Sequence, residues 1–102
     1  MGIDVSVESE SGEIQDEILD PRNLTEKLLP DIDDGASPCL RFVDQDGETV
    51  FNQVQITFLA RELETRLRAV AKSDLKEHAE ALLKLIKSTE GEAHTYVRFS
   101  AE

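Results

Sequence analysis

The chain has 102 residues, of which 39% are hydrophobic and 32% charged, enough apolar material for one modest core and too much for a wholly disordered chain. Its formal net charge is −11, and residues 1–52 hold 14 Asp/Glu against 3 Lys/Arg, whereas residues 53–102 hold 8 of each. Such a field repels phosphate backbones and anionic bilayers, which argues against nucleic acid and membrane as partners; it serves either solubility or the steering of a basic protein partner.

The opening Met1-Gly2-Ile3-Asp4 lacks the basic start and apolar stretch of a secretory signal, and no apolar run reaches the roughly 20 residues that cross a bilayer. Met1 to Ser6 formally matches a myristoylation pattern. The same residues read as a strand, because Ile3, Val5 and Val7 alternate with Asp4 and Ser6 and so bury one side. Glu10-Ser11-Gly12-Glu13 is a turn signal, after which Glu13 to Leu19 returns as a second, more polar strand.

Asp20-Pro21 reads as a helix start: Asp caps orphan N–H groups, and Pro suits the first helical position. Leu24, Leu28 and Leu29 supply a short apolar stripe before Pro30, and residues 30–38 form an acidic loop. Cys39 to Val43 and Glu48 to Phe51 are β-rich runs around Asp44-Gln45-Asp46-Gly47, which predicts a hairpin. As the single cysteine, Cys39 has no intrachain disulfide partner, and this fits a reducing cytoplasm.

Asn52 followed by Gln55 has the form of a capping box. Ile56, Leu59, Leu63, Leu67 and Val70 then recur at helical spacing, with Glu62 and Glu64 each four residues before an arginine, Arg66 and Arg68. After Lys72-Ser73-Asp74 a second helix carries Leu75, Ala79, Leu82, Leu83 and Ile86, with Gly91 as its stop. Thr95 to Phe99 returns to strand character, Val97 and Phe99 facing inward.

The order β-β-α-β-β-α-α-β predicts a single α+β domain over residues 1–102, with helices on one face of a mainly antiparallel sheet and the other face wet. On that open face the sequence places Arg41, Tyr96 and Arg98, residue types suited to recognition; the competing reading is that the arginines balance nearby acids.

Catalytic and metal signals are sparse. Asp44 to Gly47 and Asp31 to Gly35 echo fragments of calcium loops but lack the later ligands, so turn and solvated loop are the expectations. His78 reads as a surface histidine. His94 precedes the last strand and approaches Cys39 if that strand joins the Leu40 run, yet no orienting residue or oxyanion loop accompanies the pair. The five glycines are scattered and form no phosphate loop. No catalytic residue, metal ligand or cofactor is therefore assigned.

The opening Met1-Gly2-Ile3-Asp4-Val5, the central Leu40-Arg41-Phe42-Val43-Asp44 with Asp46 to Asn52, and the closing Tyr96-Val97-Arg98-Phe99 look similar to a group of small uncharacterised bacterial proteins. The resemblance implies a bacterial cytoplasmic protein and carries over no functional residue. The expected role is a non-enzymatic accessory or inhibitor-like interaction domain, monomeric or homodimeric, for a basic protein partner. The alternative is a small-molecule-binding or minor enzymatic domain on the open sheet face.

Overall fold

The computed structural model describes residues 2–30, 33, 35–70 and 73–101. Four strands, β1 (Ile3–Ser9), β2 (Ile14–Ile18), β3 (Glu48–Phe51) and β4 (Thr95–Ala101), form one sheet in the order β2-β1-β4-β3, every neighbouring pair antiparallel. Two helices, α1 (Gln53–Ala69) and α2 (Asp74–Lys87), cover one face, which gives the expected two-layer α+β architecture. Neither helix is long and apolar enough to cross a membrane.

The period-2 alternation of β1 has the consequence it implies: Ile3, Val5 and Val7 are buried, and Val5 and Val7 stand opposite Phe99 and Val97 of β4. Phe51 meets Phe99 edge to face with ring centroids 5.7 Å apart. Ile56, Leu59, Ala60 and Leu63 of α1 and Ala79, Leu82, Leu85 and Ile86 of α2 close the core over this apolar side. The turn joining β1 to β2 puts Gly12 at φ +87°, a backbone state that glycine adopts without a Cβ penalty. At the start of α1 the capping box is complete: Asn52 Oδ1 accepts the Gln55 N–H at 3.0 Å, and Gln55 Oε1 accepts the Asn52 N–H at 2.9 Å.

The expected hairpin of Cys39–Val43 with Glu48–Phe51 does not form. Leu40–Phe42 is instead a 3-10 turn, and β3 pairs with β4. The cause is Glu62, whose buried carboxylate accepts the N–H groups of Cys39 and Leu40 at 2.9–3.1 Å. These are the donors that the start of a helical turn leaves without partners. Cys39, Leu40 and Val43 are buried together, the i, i+1, i+4 spacing of a helical turn rather than of a strand. Asp44 to Gly47 still turns, with the Asp46 N–H held by Asp44 Oδ1 at 2.8 Å.

The pairing of Glu62 with Arg66 is replaced for the same reason. Arg66 Nε donates to the Leu28 carbonyl at 2.7 Å, while Arg68 does face Glu64, at 3.7 Å. The expected helix after Asp20 shortens to a 3-10 turn, Thr25–Leu28. In the acidic loop, Asp31, Ile32 and Asp34, and with them most of the Asp31–Gly35 motif, lie outside the described residues.

Candidate functional site

The three residues assigned to the open sheet face part company in the structure. Tyr96 and Arg98 share that face of β4, since Val97 and Phe99 between and beyond them point into the core. Arg41 sits on the Leu40–Phe42 turn and is not a sheet residue. This corrects the expectation that one sheet face presents both arginines, and the lost hairpin is its cause.

Arg98 is held by acids. Its Nε donates to Glu8 Oε2 at 2.6 Å, and its Nη1 lies 3.2 Å from Glu48 Oε2, so one guanidinium ties β4 to both of its neighbours. Ser6 Oγ donates to the same Glu8 oxygen at 3.2 Å. The Glu8 hydrogen bond raises the Arg98 pKa further, and the charge of Glu48 adds to it. A guanidinium with two carboxylates bound has little left to offer a ligand.

A larger concavity opens at one end of the sheet, about 850 Å³ in volume, between the β1–β2 turn, the end of α2 and the segment leading into β4. Val7 and Leu85 form its apolar floor, and Ser9, Ser11, Ser88, Thr89 and Thr95 contribute hydroxyls. Its charged lining is Glu10, Asp16 and Glu92, with no lysine or arginine. The last carbonyls of α2 add partial negative charge at the same place, since Ser88 caps that helix and lines the cleft. His94 Nδ1 lies 3.2 Å from Glu10 Oε2, a contact at the cleft that is open to solvent. Apart from the imidazole of His94, the ionisable side chains lining the cleft are all carboxylates, and an ammonium or guanidinium group is the ligand chemistry they favour.

One buried polar cluster at Asp20 lies elsewhere. Asp20 accepts N–H groups from Ile3 at 3.1 Å, Leu24 at 2.7 Å and Thr25 at 3.0 Å, but it does not cap a helix opening at Pro21: the 3-10 turn starts at Thr25, with Leu24 at its N-cap. Burial pushes its pKa up, but those N–H groups and His78 outweigh it, and the net shift is downward. His78 is not on the surface: its Nε2 lies 2.7 Å from Thr25 Oγ1 and 3.7 Å from Asp20 Oδ1. Burial holds its pKa below the ordinary value against the opposing pull of Asp20. Nothing in the sequence marked this residue, because its partner Thr25 lies far back in the chain on a separate element.

Cys39 and His94 have separate partners. The thiol points at the Gln55 carbonyl, 3.8 Å away, and burial followed by the Glu62 charge pushes its pKa up to about 11. A thiol so shifted is almost wholly protonated near neutral pH and is a poor nucleophile. Comparison with protein-family models, with curated proteins and with solved structures gives no match to this chain.

Proposed function

We propose that this protein is a non-enzymatic interaction domain that captures a basic partner, with the cleft beside the β1–β2 turn receiving a cationic side chain of that partner. The observation that carries this reading is the cleft's charged lining of Glu10, Asp16 and Glu92, unaccompanied by any lysine or arginine. The excess of acid in residues 1–52 supplies the longer-range field that draws a basic surface in, and the cleft gives that field a shaped end point. The alternative of a small-molecule or minor enzymatic site on the open sheet face draws less support. Arg98 is occupied by Glu8 and Glu48, and Arg41 belongs to another element.

The test uses the full chain, isotope-labelled, titrated with hexa-arginine and, as a control, hexaglutamate. The expected result is saturable amide shifts centred on Ser9–Asp16 and Ser88–Thr95, weakened by salt. Combining Glu10→Gln, Asp16→Asn and Glu92→Gln should reduce affinity at least tenfold, about 1.4 kcal/mol. Shifts spread evenly over the acidic half, or unchanged in the triple variant, would make the acidity a solubilising feature and remove the reading.

A further inference from the structure

The arginines of this chain divide into two groups by what they touch. Arg22 pairs with Asp74 at 2.6 Å, Arg68 with Glu64, and Arg98 with Glu8 and Glu48, while Arg66 donates to backbone carbonyls. Arg41 and Arg61 find neither among the described residues. Each lies instead over a phenyl ring: the Arg41 guanidinium carbon is 4.7 Å from the Phe42 ring centroid, and that of Arg61 is 5.9 Å from the Phe58 centroid. The Arg41 Nε is also enclosed without an acceptor. Lys27, Lys76 and Lys84 also lack a carboxylate partner among the described residues, so what sets Arg41 and Arg61 apart is the ring beneath each.

The rings beneath them are exceptional too. Of four phenylalanines, Phe51 and Phe99 fill the core, whereas Phe42 and Phe58 are 57% and 50% exposed. Val54, one helical turn before Phe58, is 74% exposed. These residues belong to one region, because Cys39 contacts the Gln55 carbonyl and the Glu62 carboxylate, and Phe58 lies between those two positions on α1. The result is an apolar surface carrying two guanidiniums that are preorganised on aromatic rings and free to bind an anion, a composition typical of binding hot spots.

We infer that this surface, formed by Arg41 and Phe42 of the turn and by Val54, Phe58 and Arg61 of α1, docks a partner segment that carries carboxylates beside apolar side chains. The carboxylates meet the two guanidiniums, and the apolar side chains cover the phenyl rings. This surface is chemically the reverse of the carboxylate-lined cleft and takes the opposite ligand, so it stands or falls independently of the basic-partner reading.

The probe is an acetylated peptide of alternating aspartate and leucine, compared with its asparagine–leucine counterpart, titrated into the isotope-labelled full chain at low salt. Binding should shift the amides of Arg41–Phe42 and Val54–Arg61. Replacing the aspartates, or making either Arg41→Gln or Arg61→Gln, should weaken it roughly tenfold. Arg61 is on the exposed side of α1, so its variant keeps the test sharp if Arg41→Gln perturbs the turn. Equal binding of the asparagine peptide, shifts centred elsewhere, unaffected arginine variants, or no binding would each overturn the inference. So would concentration-dependent sedimentation of the free protein that Phe58→Asp abolishes, since a second copy would then be the occupant.

Discussion

The Asp20 carboxylate accepts N–H groups from Ile3, Leu24 and Thr25 and faces His78 Nε2 at 3.7 Å, so it joins β1, the following turn and α2 at one point. Gly2 packs so closely there that a Cβ would collide with the Asp20 carbonyl oxygen. Gly2→Ala should therefore destabilise the fold by about 1–3 kcal/mol in urea unfolding, although position 2 looks inconsequential in the sequence. The cluster also sets an acid dependence. Below pH 6.5 the unfolded chain takes up a proton that buried His78 resists, so stability falls as pH drops from 6.5 toward the lowered folded value. A second loss begins as pH falls through 3.8, where unfolded Asp20 protonates before folded Asp20 does. Melting temperature measured from pH 7.5 to 5 should decline, and His78→Gln should flatten that decline; equal slopes would contradict the assignment. That Asp20 would accept N–H groups just after it was legible, since Leu24 and Thr25 follow it closely, whereas its bond to Ile3 and the contacts of His78 exist only once the chain folds.

At the scale of elements, local chemistry decided what the sequence revealed. The α1 capping box is complete within four consecutive residues, and Asn52→Ala should cost about 1 kcal/mol in thermal or urea unfolding. The alternations of β1 and β4 and the helical stripes were likewise readable, because each pattern lies within one segment. Residues 39–43 misled for the opposite reason. Their β-branched and aromatic content favours a strand, but Glu62, contributed by α1, supplies acceptors for the Cys39 and Leu40 N–H groups and makes a helical turn the better choice. Glu62→Ala should cost about 1–3 kcal/mol by orphaning those donors. Cys39 reports on the same contact: with its pKa near 11, iodoacetamide at pH 8 should modify it much more slowly in the folded chain than in urea, and Glu62→Ala should narrow that gap. The carboxylate-lined cleft drew no notice in the sequence because its acids come from the β1–β2 turn, β2 and the approach to β4, which only the finished sheet brings together.

Across the whole molecule, the sheet order β2-β1-β4-β3 places β1 and β4 in the middle, and their side chains form the floor on which both helices rest. Phe99 stands opposite Val5 and Thr49 and packs edge to face with Phe51, so it ties β1 and β3 together through β4. Phe99→Ala should cost about 3–5 kcal/mol, enough to unfold a marginal domain of this size, as circular dichroism would show. The arrangement also dictates when the protein can fold. While a ribosome is still adding α2, β3 has no neighbour to pair with and β1 has only β2. The nascent chain must wait for Thr95–Ala101 to emerge before Val5, Val7 and Phe51 leave water. Until then the apolar side of β1 lacks the β4 residues that stand opposite it in the finished sheet.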